Sequence, residues 1–69
     1  MTQKELAYFE DAVGHEDIII KSLQETLENL QDEDLSSLVE TDIEKHNSLK
    51  QELLRTMEEQ VNEWWIINE

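Results

Sequence analysis

Cysteine and proline are absent from the 69 residues, glycine occurs once, and only five side chains are cationic. Without cysteine there is no disulfide framework and no thiolate metal site, and the redox compartment is left open. A single glycine cannot build a phosphate-cradling loop. Five cations against eighteen acids leave a net charge of −13. Binding nucleic acid through its phosphates needs basic residues clustered on one face, so that mode is excluded. Long apolar runs are missing as well. The longest aliphatic stretch is Ile18-Ile19-Ile20 and no apolar signal core opens the chain, so neither a membrane span nor a secretory leader is expected, and the expected location is cytoplasmic. Nucleophilic chemistry has no foothold: neither histidine has a Ser or Thr partner at a justifiable spacing, and the chain is not expected to be an enzyme.

What is present speaks of helices. Nineteen of the 69 residues are Leu, Ile, Val or Phe, above the roughly one-fifth level below which acidic chains stay disordered. Thr2-Gln3-Lys4-Glu5 fits a capping box, with Met1 and Leu6 placed as a hydrophobic staple. Nothing then interrupts a helix until Asn29-Leu30-Gln31-Asp32-Glu33-Asp34, where Asp32 or Asp34 can cap a second one. The expected fold is a single all-α domain over 1–69, an antiparallel helical hairpin: helix about 2–30, turn about 31–34, helix about 35–67.

Both helices keep a heptad-like stripe. The first runs through Leu6, Phe9, Val13, Glu16, Ile20, Leu23, Leu27 and Leu30. The second is drawn through Leu35, Val39, Asp42, His46, Leu49, Leu53, Met57, Val61 and Trp64, with a slip near its end. Leu38, Ile43 and Leu54 widen that stripe beyond a two-stranded seam. One hairpin cannot cover this much, and Tyr8, Ile18, Ile19, Leu38, Ile43 and Leu54 are expected partly in water. Ordering the backbone costs roughly 1–2 kcal/mol per residue, which a small unstapled chain seldom recovers alone. Pairing of two hairpins into a four-helix bundle, as a homodimer or higher oligomer, is the simplest remedy.

The stripe fails at three places. Glu16, Asp42 and His46 are polar residues on seam positions, the last two four apart on one helix face. Pairing residues outward from the turn sets Ile20 near His46 and Glu16 near Leu49, hence Glu16 and His46 within about one turn. Besides partial exposure of no consequence, two readings follow. The three can form a polar layer that fixes register, or they can ligate a metal, two hard oxygen donors with one neutral nitrogen. No cofactor is expected on the first reading; iron or zinc would be held by Glu16, Asp42 and His46 on the second. Gly14, costly in a helix, hints at close packing or a kink. His15 lies off the seam and is expected at the surface.

Tyr8-Phe9-Glu10-Asp11-Ala12-Val13-Gly14-His15-Glu16-Asp17 and Glu44-Lys45-His46-Asn47-Ser48-Leu49 resemble one helical pair of the ferritin-like superfamily, as in rubrerythrin-type halves and small spore-coat proteins. The resemblance covers roughly residues 6–57. It implies a helical pair that dimerises, with Glu16 and His46 at the positions of a Glu and a His that ligate iron in that family. The pattern's further Glu, three residues before the His, is here Ile43, and Asp42 is one position away.

The C-terminal Trp64, Trp65, Ile66 and Ile67 form the densest apolar group, overhanging the first helix. They are expected either to cap a dimer or to anchor a separate protein, a role in which Trp is enriched. The expected function is that of a small acidic helical interaction protein, self-associating and binding a protein partner. Two others compete with it: an acidic, nucleic-acid-mimicking inhibitor of a basic target protein, and a ferritin-like metal-binding protein.

Overall fold

The chain enters its first helix through Thr2. Its extended backbone (φ −81°, ψ 163°) turns the hydroxyl to accept from the Glu5 N–H at 3.0 Å, while the Glu5 carboxylate accepts from the Thr2 N–H at 3.0 Å. Both orphan amides are thereby satisfied. Bonding from the Thr2 backbone first, and its side chain second, holds the Glu5 carboxyl below the usual carboxylate range. Helix α1 then spans Gln3–Asn29. Leu30 ends it by going extended (φ −87°, ψ 138°) rather than left-handed, its N–H bonding Leu27 O at 3.3 Å. Asp32 starts the next helix, its carboxylate accepting from the Leu35 N–H at 3.0 Å and its carbonyl from the Ser36 N–H at 2.9 Å. Glu33 and Asp34 lie in the first turn, where the helix dipole favours acids. Helix α2 spans Glu33–Asn68, opening two residues before the expected start because Asp32, not Asp34, is the cap.

The computed structural model describes the backbone of residues 1–68 and the side chains of residues 1–61. The two helices form an all-α hairpin of 56 × 16 × 11 Å with a radius of gyration of 16.1 Å. A compact domain of this length has a radius of about 11 Å, so the molecule is a rod two helices wide. Among the described residues no helix is long and apolar enough to cross a membrane.

The α1 seam is the expected one. Leu6, Phe9, Val13, Glu16, Ile20, Leu23, Leu27 and Leu30 are all buried or half-buried. The α2 seam corrects the expectation. Ser36, Val39, Ile43, His46, Lys50, Leu53, Met57 and Gln60 turn inward, while Leu35, Asp42 and Leu49 are exposed. The observed set alternates +3 and +4 without a slip, so each member stays on the strip facing α1. Lys50 earns its place by lying with its stem along the seam and its ammonium 2.6 Å from Asp17 on α1.

The core is thin. Ile20 (8% exposed) and Glu16 (9%) are buried; among the described residues no side chain is fully enclosed. Gly14 contradicts the expected close packing, since a Cβ built there meets nothing within 4 Å. Its φ is not positive, and nothing in the structure explains the glycine.

Candidate functional site

At mid-length of the hairpin α1 presents Glu16 and α2 presents His46. The His46 Nδ1 lies 2.6 Å from Glu16 Oε2, the short distance of a charge-assisted bond. An ionised carboxylate only accepts, so Nδ1 carries the proton and donates it. The Glu16 side chain is 11% exposed and that of His46 27%. The carboxylate is thus the group that depends on the bond, because burying an unpartnered charge is costly whereas a quarter-exposed imidazole still reaches water. About one turn further along α2, Lys50 adds a second link between the helices, 2.6 Å from Asp17. Two inter-helix polar bonds within one stretch pin the axial register of α1 against α2, which an apolar seam leaves free to slide.

The expected three-residue set assembles only in part. Glu16 and His46 meet, closer than the turn-outward pairing placed them. Asp42 does not join them: it is exposed, one residue outside the true seam, and Ile43 takes its inward place. Among the described residues no three of His, Cys, Asp and Glu come together to hold a metal ion. His15 is exposed, off the seam. The expected partner anchor, Trp64, Trp65, Ile66 and Ile67, lies outside the described side chains. Lys50, with Ser36 and Gln60, is a seam residue that sequence reasoning missed. Its signal was the unbroken +3/+4 alternation through position 50, which a search for apolar residues passes over in favour of Leu49.

A second feature is the surface. Tyr8 is 60% exposed, Ile18 65%, Leu38 66% and Leu49 47%. Tyr8, Phe9, Ala12 and Leu53 line an open, almost wholly apolar groove of about 170 Å³ between the helices near the open end. On the surface Arg55 bonds Glu52 at 2.6 Å and lies 3.8 Å from Glu59, contacts that raise its already high pKa and, being exposed, contribute little stability.

The carboxylate–imidazole pair and the ion pair beside it link α1 to α2 at mid-length. Binding through the uncovered apolar surface is the other capacity the geometry offers. Compared with known proteins, the chain matches no family model, no curated protein and no solved structure.

Proposed function

We propose that the protein is a small acidic interaction module that works as a homodimeric four-helix bundle and binds a protein partner. The observation that carries this reading is the core: among the described residues a single apolar side chain, Ile20, is buried. The chain exposes 5626 Å², whereas a folded monomer of its 8.2 kDa exposes about 4,500 Å². The excess of about 1,100 Å² exceeds the roughly 800 Å² that each partner contributes to a standard interface. The resemblance of residues 6–57 to a ferritin-like helical pair supports the same assembly. Dimerisation doubles the −13 charge, which keeps the bundle soluble, repels polyanions and leaves basic proteins as the partners its field favours.

Folding that depends on association obeys mass action. Raising the chain concentration from about 5 to about 500 μM adds roughly 2.7 kcal/mol to the dimer and should lift the melting temperature by roughly 5–10 °C. Circular dichroism melts at several concentrations read this directly. A melting temperature independent of concentration would remove self-association from the proposal.

A further inference from the structure

The two flanks of the hairpin differ. On one side of the α1 seam lie Tyr8, Ala12, His15 and Ile19; on the other lie Glu10, Gly14, Asp17 and Glu28. In an antiparallel pair the like flanks of the two helices share a side, so the first α1 flank lies beside Leu35, Leu38, Asp42, Lys45 and Leu49 of α2. One broad face carries Ala12, Ile19 and Leu49 about its centre, with Asp42 and Lys45 among them, while the opposite face gathers Glu10, Asp17, Glu40, Glu44 and Glu58 around Leu54. The groove of Tyr8, Phe9, Ala12 and Leu53 opens on the apolar face.

Charge is also polarised along the rod. Residues 22–44, the half that contains the turn, hold eight acids and no Lys or Arg. All five cations, Lys4, Lys21, Lys45, Lys50 and Arg55, lie in the other half. Two copies with their turns at the same end would bring two cation-free halves together within a Debye length of about 8 Å, which is unfavourable. Reversing one copy sets each acidic half against a half that bears cations.

We propose, resting on the self-association reading above, that the second copy docks on the Ala12–Ile19–Leu49 face, two-fold and with its turn at the opposite end. The apolar cluster sits near the middle of the rod, so an axis through it overlaps the two hairpins along their length. With the axis between Ala12 and Ile19 of α1, the partner's Ile19 comes opposite Ala12 and seats in the apolar groove, and the two copies of Leu49 lie about 7.5 Å apart along the rod. The same-end arrangement brings a Leu49 over Ala12 but sets Glu52 and Thr56 over the rest of that groove. Packing on the opposite face would need Glu10, Asp17, Glu40 and Glu44 to be desolvated against their own copies.

Because the chain has no cysteine, Gln31→Cys in the exposed turn takes a single spin label. The turn is about 15 residues from the axis, so the two labels should stand about 45 Å apart by dipolar spectroscopy, at 1.5 Å of rise per residue. A distance under about 25 Å, with a dimer mass retained, overturns the orientation and leaves self-association standing. Absence of dipolar modulation together with a monomer mass overturns self-association itself. Leu49→Glu tests the face: it should leave the helices formed at high concentration while weakening the dimer at least tenfold. An unweakened dimer would place the interface elsewhere.

Discussion

Ile20→Asp should leave the chain without cooperative helical structure. Ile20 is the most enclosed apolar side chain described, 8% exposed at mid-seam. Its replacement buries a carboxylate at a cost of several kcal/mol, unless the helices part to let water in. Glu16 stands one turn away on the same face, so the new charge is also repelled by a neighbour already buried. Proteins of this length hold about 3–10 kcal/mol of stability in all, and a loss of several consumes most of it. Far-ultraviolet circular dichroism should show a shallow, non-cooperative melt from a low starting helicity. Ile20→Val, which removes one methylene, should cost only about 1 kcal/mol and keep the transition. A cooperative melt of Ile20→Asp near the parent temperature would mean that the seam runs elsewhere.

The second large effect is an asymmetry between two single substitutions and their combination. His46→Leu removes the donor on which the Glu16 carboxylate depends and should cost about 2–3 kcal/mol. Glu16→Leu leaves an imidazole that can turn to water, since the His46 side chain is 27% exposed, and should cost less. Making both changes replaces a desolvated polar pair with apolar groups of similar size. The double variant should be more stable than the parent by about 1–2 kcal/mol, a rise of roughly 4–15 °C in melting temperature. Its oligomeric state should broaden, because the bond that pins register is gone. Urea and thermal melts of the four proteins close the cycle. A double variant less stable than the parent would show that the pair contributes net stability rather than register. Iron or zinc added to the parent should leave its melt unmoved, since Asp42 stands outside the seam and only two donors meet.

These results bear on how far the sequence alone determines the picture. The capping box at Thr2–Glu5 and the whole α1 seam were readable because each rests on local chemistry or an uninterrupted period, whereas the second cap was narrowed only to Asp32 or Asp34. The α2 seam was drawn one residue off at Leu35, Asp42 and Leu49. Three of its true members, Ser36, Lys50 and Gln60, are polar, and a search for apolar residues prefers the leucines beside them. Those leucines are apolar for a different reason on the dimer reading: they face a second copy, and one chain's pattern superimposes the two demands. The meeting of Glu16 with His46 was approached to within a turn, but the ligand-like grouping with Asp42 was not, because a one-residue error on a helix rotates a side chain by about 100°. Gly14 misled in the other direction, suggesting a close approach where there is open space.

The account turns on whether one hairpin is half of a bundle. Light scattering coupled to size exclusion, on the unmodified chain at tens of micromolar and near-physiological salt, measures that directly. The expected result is a species of twice the 8.2 kDa chain mass, retained on dilution until helicity is lost with it. A stable, fully helical species of 8.2 kDa over the same range would contradict the account, leaving the Ala12–Ile19–Leu49 face without the second copy proposed to cover it.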